Sequence, residues 1–437
     1  MGMINTGTDG MRAFCFALVS AGALALGACA GPDRAPSMVE RETAAAPAVR
    51  FAVFNVYLNR PEAGALLAEM RAGDSPQARK VAEIIQRTAP DVLLLNEFDY
   101  EPSGEALRLF QENYLEKSWN GAPPAVYPYV FLAPSNTGVH SGVDLNRDGA
   151  VAAAPGSRDY GGDAFGYGEF PGKFAMAFLS KYPIAEDDVR TFRNFLWKDM
   201  PGARLPDDPD TPEPADWYAG PALDRFRLSS KSHWDIPVLI GGRAVHVLAS
   251  HPTPPGFDGE EDRNGRRNFD ENRFWADYVT PGRGSYIYDD AGGEGGLEPG
   301  ARFVIMGDLN ADPTDGAAPG SIRQLLEAPA AAPGRAPRSR GGAAQAELQG
   351  GANARHRGDP AEDTSDFNDD PETGAGNLRL DYVIASRSGL VETGSGVFWP
   401  APGDPQYGLV GPGFPVESSD HRLVWRDLVV TERRAGQ

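Results

Sequence analysis

Short apolar runs, each closed by polar residues, recur along the chain. They are Val49–Tyr57, Asp91–Phe98, Phe174–Leu179, His233–Ile240, Ala244–Ser250, Phe303–Met306, Leu380–Ala385 and Leu423–Val430. Runs of this length bounded by turn-forming residues predict buried strands. Gly241-Gly242 stands between two of them. It predicts a hairpin, because a two-residue turn there needs positive φ. Apolar residues fall at helical spacing over Gln77–Arg87, Arg267–Val279 and Ser321–Glu327. Mixed strands and helices with hairpins exclude a simple β-barrel. Residues 133–172 and 328–378 show neither period and are rich in Gly, Ala, Asp and Pro. Loops this long are usually functional or disordered, and the Ala/Gly/Arg-rich part, 328–347, reads as mobile. With no internal repeat and no clean linker, residues 49–432 are expected to form one domain.

The amino terminus has a different pattern. Arg12 precedes an apolar run from Phe14 to Leu26, which reads as a secretory signal. The run is shorter than the roughly 20 residues that a membrane-spanning helix needs. Leu26-Gly27-Ala28-Cys29 resembles the lipobox of bacterial lipoproteins. That resemblance implies that 1–28 is a signal peptide, that Cys29 carries lipid after cleavage, and that the protein sits in the bacterial cell envelope. Ala30, not Asp, follows the cysteine. An outer-membrane lipoprotein facing the periplasm or the cell surface is therefore expected. Residues 29–48 read as a tether. The chain has two cysteines, Cys15 and Cys29. Loss of the first and acylation of the second leave no thiol for a disulfide, a metal or a nucleophile.

Charge narrows the partners. The formal net charge is −20, which repels polyanions and provides no basic groove for duplex nucleic acid. A phosphorylated small molecule or a phospholipid fits better than nucleic acid, and a monomer is expected.

The candidate chemistry lies at the strand ends. Asn55 closes the first apolar run, Asn96-Glu97 the second, and His251 follows Val245–Ser250. Gly307-Asp308-Leu309-Asn310 follows Phe303–Met306. Side-chain alternation along a strand points Asp308 and Asn310 the same way. Asp381 lies inside an apolar run and needs a partner; His421, in Ser419-Asp420-His421, is available. A Ser-His-Asp triad is excluded because these three are contiguous. No Gly-x-Ser-x-Gly elbow or phosphate loop is present. Each residue alone also suits a cap or turn.

Taken in order, seven segments resemble the endonuclease/exonuclease/phosphatase superfamily of deoxyribonuclease-like, metal-dependent phosphoesterases. They are Phe54-Asn55-Val56, Leu95-Asn96-Glu97, Leu179–Ile184, Ser250-His251, Gly307–Asn310, Leu380-Asp381-Tyr382 and Ser419–His421. The resemblance implies an α+β fold: a four-layer α/β-sandwich of two packed, mixed or antiparallel sheets flanked by helices. It implies hydrolysis of a phosphomonoester or phosphodiester by in-line attack of water. Glu97, with Asn55 and Asp420, would bind Mg²⁺ or Mn²⁺. His421, oriented by Asp381, and Asp308 are rival candidates for activating the water. Asn310 would hold a phosphoryl oxygen, and His251 would assist the leaving group or stabilise charge on the phosphate. The alternatives are an extracellular nuclease of the same fold and an inactive binding protein built on it.

Three further features are expected to shape the site. Arg266, Arg267 and Asn268 open a helix just after His251 and are candidate phosphate or sugar readers. Their alternative is a solvated loop paired with Asp258, Glu260 and Asp262. Asp144, Asn146, Asp148 and Gly149 match the first half of a calcium loop, a candidate for a structural Ca²⁺, although Pro155 stands where the closing Glu belongs. Residues 356–367, before the Asp381 run, would overhang the strand ends as a lid or as acidic filler.

Overall fold

The computed structural model describes residues 47–152 and 154–432. The predicted signal segment, Cys29 and most of the tether lie outside them. In chain order the strands are β1 (Val49–Leu58), β2 (Val92–Phe98), β3 (Tyr129–Phe131), β4 (Met176–Ser180), β5 (Arg190–Thr191), β6 (His233–Ile240) and β7 (Arg243–Ser250). There follow β8 (Phe303–Asp308), β9 (Ala331–Ala332), β10 (Ser365–Asp366), β11 (Asn377–Leu378), β12 (Asp381–Ser386), β13 (Leu390–Val397) and β14 (Val424–Val430).

They build two six-stranded sheets, in the orders β13-β14-β1-β2-β4-β3 and β5-β6-β7-β8-β12-β9, and a separate β10-β11 pair. Each large sheet carries one parallel pair at its centre, β1 with β2 and β7 with β8, between antiparallel neighbours. Parallel pairing requires a crossover. Helices Ala65–Ala72 and Pro76–Thr88 lie in the first, and helix Arg263–Tyr278 in the second. Gly241 and Gly242 both have positive φ, 57° and 75°, in the predicted hairpin turn.

Side-chain alternation sorts residues between two cores. Along β8, Val304 and Met306 join the core shared by both sheets, whereas Phe303 and Ile305 pack outward under helix Arg263–Tyr278. Along β12, Val383 and Ala385 face the shared core, and Tyr382 and Ile384 face outward. Asp308 and Asp381 have the parity of the inward residues. They therefore reach the space between the sheets at the strand ends, directly paired across the ladder. The outer layers are aromatic and apolar: Phe192, Phe274, Trp275 and Tyr278 on one side, Val81 and Ile85 of helix Pro76–Thr88 on the other. The result is the four-layer α/β-sandwich of two mixed sheets that the sequence pointed to.

The long loops hold more structure than their composition predicts. Residues 328–347 contain the edge strand β9, paired to β12, and most of a helix, Arg340–Gln349. That segment had been expected to be mobile. A Cβ on Gly341 would sit 2.1 Å from the Trp399 carbonyl oxygen. Only a residue without a side chain lets this helix seat there. The eight-residue β13 carries no apolar run because Glu392, Thr393 and Gly394 interrupt it, yet it completes the edge of the first sheet against β14.

Candidate active site

Strand ends of both sheets converge on Asp308. Its Oδ2 accepts from Asn55 Nδ2 of the first sheet at 3.0 Å. The same oxygen lies 3.4 Å from His251 Nε2 and 3.6 Å from His421 Nε2. Its Oδ1 accepts from the Asn310 backbone amide at 3.0 Å, and its own amide donates to Asn96 Oδ1 at 3.1 Å. Asn55 also donates to Glu97 Oε1 at 3.0 Å, while Asn59 donates to Glu97 Oε2 at 2.7 Å. Beyond Asp308, His421 Nδ1 faces Asp381 Oδ2 at 2.8 Å, and Thr364 Oγ1 donates to that oxygen at 2.7 Å. The structure thus brings Asn55, Glu97, His251, Asp308, Asn310, Asp381 and His421 into one cluster.

The backbone bends to achieve this. Tyr57, Glu97 and Asn310 have φ of 51°, 57° and 50°, a left-handed conformation that costs a non-glycine residue about 1 kcal/mol or more. The β1–β2 register shifts between Asn55 and Leu58 at the same place. Such irregularities re-aim side chains at strand ends. They also correct one expectation. Strand β8 stops at Asp308, so alternation does not carry through to Asn310. The left-handed turn directs the Asn310 amide to the Pro252 carbonyl at 3.1 Å instead, beside His251.

Burial and charge set the protonation states. Burial would raise the Asp308 pKa, but His421 and His251 and the Asn55 hydrogen bond outweigh it and hold the carboxyl well below the usual range. Burial pushes Asp381 up to about 6 against the pull of His421. For His421, burial is overcome by the Asp381 and Asp308 carboxylates, so its pKa lies well above the ordinary value. His251 moves the other way, through burial and then the nearby Lys231 ammonium. Asp420 rises to about 6, through burial and, against the pull of His421, the Glu97 charge.

A metal fits this donor set. Ligand atoms of Glu97, His251 and Asp308 lie within 4.8 Å of one another, as do those of Asp308, Asp381 and His421. Asp420 belongs to neither group. Yet the Glu97 carboxylate lies close enough to raise the pKa of Asp420. An Asn, Glu and Asp set is all-oxygen and suits a hard divalent cation. Asp381 Oδ1, His251 Nδ1 and Asn96 Nδ2 are buried without hydrogen-bond partners, as expected where a ligand completes the network.

The other predicted residues are bonded largely within the protein. Asn268 is fully buried and donates to the Thr253, Leu309 and Asn310 carbonyls. It braces the Asp308–Asn310 turn instead of facing substrate. The Arg267 guanidinium is occupied by the Leu228, Phe165 and Arg227 carbonyls, and Arg266 donates to Leu205. Asp144 caps the Asp148 and Gly149 amides, and Asn146 donates to Asp148, which caps Ala150. The three close an Asx-type turn. The 356–367 segment does not stand off as a lid. Ser365 bridges to His421, and Thr364 holds Asp381. Thr364 and Asn59 were not anticipated as site residues, and Asn96 was noted only as the neighbour of Glu97. Their signal, polar residues beside predicted site residues, is visible only once the partners are known.

A cavity of about 660 Å³ opens beside Glu97 and His251. Leu145, Asn146, Arg158 and Tyr167 of the 133–172 loop form one wall, and Lys231, Arg263 and Arg267 line the rest.

The model of the Endonuclease/Exonuclease/phosphatase family matches residues 52–421. No curated protein matches the sequence. Among solved structures, an endonuclease/exonuclease/phosphatase from Beutenbergia cavernae is 16% identical, with 89% of this chain and 73% of that chain covered, at a TM-score of 0.47. Sphingomyelinase C from Streptomyces griseocarneus is 15% identical over 87% of this chain and 99% of that one, at 0.39. A Staphylococcus aureus beta toxin mutant with bound magnesium ions is 14% identical over 87% and 99%, also at 0.39. The family match spans every strand-end residue of the cluster, from Asn55 to His421, and the chain belongs to the endonuclease/exonuclease/phosphatase family of hydrolases acting on phosphoester bonds.

Proposed function

We propose that this chain is a metal-dependent phosphoesterase that acts on a small phosphorylated molecule or a phospholipid headgroup, exported and held at the membrane through lipid on Cys29. The observation that carries the catalytic reading is the anionic Asp308 seated between two histidines, one of them backed by Asp381. Asp308, held far below the ordinary carboxylate range, stays ionised at working pH. It is a weak base and a good acceptor, suited to orienting a water for in-line attack. His421, anchored by Asp381, donates to the phosphoryl group or exchanges the proton of that water. His251, with its pKa lowered, offers a neutral imidazole on the other side. A divalent cation such as Mg²⁺ or Mn²⁺, held by Glu97 with Asn55 and Asp420, would neutralise charge on the phosphoryl oxygens. The 660 Å³ cavity is in the range of small-molecule sites. With a net charge of −20, this supports a compact phosphate over duplex nucleic acid.

The test is hydrolysis of a metal-supplemented panel of sugar phosphates, nucleotides, phospholipids and DNA. Turnover of a small phosphate or phospholipid, lost in Asp308→Asn and His421→Ala, is expected. Equal background in wild type and both variants would end the enzyme reading, and a preference for DNA would favour a nuclease. For the anchor, Cys29→Ala should move the protein from the membrane fraction to the soluble fraction.

A further inference from the structure

Lys231 is not in any of the family-like segments, yet it occupies an unusual position. It lies in Leu228-Ser229-Ser230-Lys231-Ser232, just before β6. Its neighbours are rigidly held: the Ser230 amide donates to Glu271 Oε1 at 2.6 Å, and Ser230 Oγ donates to the His251 carbonyl at 3.3 Å. The residue is 6% exposed. It lines the cavity together with Glu97 and His251. Among the described residues its ammonium has one hydrogen-bond partner, the Pro252 carbonyl at 3.4 Å, and no carboxylate partner. The acids whose charge it feels are engaged elsewhere. Glu271 accepts two backbone amides, Glu97 two asparagine amides, and Asp308 Asn55 and the histidines.

A buried ammonium with three donors and one long acceptor is costly. The other cations lining the cavity differ. Arg267 has three hydrogen bonds to carbonyls from its Nε and Nη2 and Arg263 is paired with Glu261, while Arg158 is exposed. Lys231 is therefore the buried cation at this cavity whose donors are least engaged, one bond of 3.4 Å against three of 2.6–3.0 Å for Arg267, on a protein whose net charge repels anions. We infer that Lys231 is a substrate-binding residue, its ammonium taking an unesterified phosphoryl oxygen of the ester beside His251. This deepens the phosphoesterase reading and rests on it.

The experiment is calorimetric titration of the mature chain with inorganic phosphate in chelator, repeated with Mg²⁺. Wild type should bind phosphate. Lys231→Met should weaken binding about tenfold or more, and Lys231→Arg, which keeps the charge, should retain most of it. The thermal midpoint of Lys231→Met should stay level or rise, because an unpaired buried charge is removed; a lysine that merely ties down Pro252 would lower it. Phosphate should also shield Lys231 of the wild type from reductive methylation, read by peptide mass spectrometry, a measurement that does not depend on a variant folding. Equal phosphate affinity in wild type and Lys231→Met, no phosphate binding by wild type, or no shielding would each overturn the inference. Hydrolysis by Lys231→Met with an unchanged KM would overturn it while leaving the phosphoesterase reading intact. Loss of hydrolysis in the wild type would count against that reading alone, since phosphate binding is read without turnover.

Discussion

Glu271 and Asp308 are both buried carboxylates, 0% and 1% exposed, yet their surroundings differ in kind. Glu271 is closed off. Its two oxygens accept the Ser230 and Thr253 amides at 2.6 Å each, tying the segments that carry Lys231 and His251 to helix Arg263–Tyr278. Asp308 accepts the Asn310 and Asn55 amides and, in addition, has two imidazoles within 3.6 Å of one of its oxygens. Around it Asp381 Oδ1, His251 Nδ1 and Asn96 Nδ2 lack partners. A saturated acid fixes backbone, and an acid in an unsaturated cluster is available for chemistry. Asp363 is a third case. It is 8% exposed and pushed up to about 8 by burial and by Asp312, Asp315, Asp359 and Glu362, so it takes up a proton where a cation is lacking.

Substitutions at the two acids and at His421 should separate these roles. The largest effect is expected at the open cluster. Asp308→Asn and His421→Ala should each lower kcat/KM by about 10³-fold, close to 4 kcal/mol. A small kinetic loss in both would remove the distinction. Glu271→Ala should act in the opposite way. It leaves two buried amides unpaired and should cost about 3 kcal/mol of stability, read from denaturant midpoints. Metal removal should come next. Chelator should abolish turnover, and excess Mg²⁺ or Mn²⁺ should stabilise the protein by about 2 kcal/mol through mass action, an increment absent in Glu97→Ala.

The smallest effect concerns pH. The folded pKa of Asp363 is above its unfolded value. Its contribution is therefore complete below about pH 4 and is lost as pH rises towards about 8. Asp363→Asn should flatten that decline and be more stable than wild type at pH 8 by at least about 1 kcal/mol. Parallel stability–pH curves for the two would show that Asp363 is paired after all.

Much of this arrangement was legible along the chain. The strands β1, β2, β4, β8 and β12 announced themselves because nearly all their residues are buried, leaving apolar runs, and β6, β7 and β14 because apolar residues still predominate on their buried faces. The polar residues that close those runs are the ones that meet, since a strand end is where a buried sheet first allows a polar group. Elements with weak patterns were missed for the converse reason. Strand β13 has one face in water, and helix Arg340–Gln349 is built from small residues that dock on Trp399.

The sequence by itself determined the layering, the parity that turns Asp308 and Asp381 to the space between the sheets, and the residue types available there. Only the tertiary structure decided which of them are free to act. Asn268 and Arg267 looked suited to a phosphate, but the Asn268 amide and the Nε and Nη2 of Arg267 are taken by carbonyls from distant segments, whereas the ammonium of Lys231, which the sequence did not single out, has a single long bond in the cavity. Hydrogen-bond saturation depends on groups far apart in the chain, and only the packing of one sheet against the other brings them within reach.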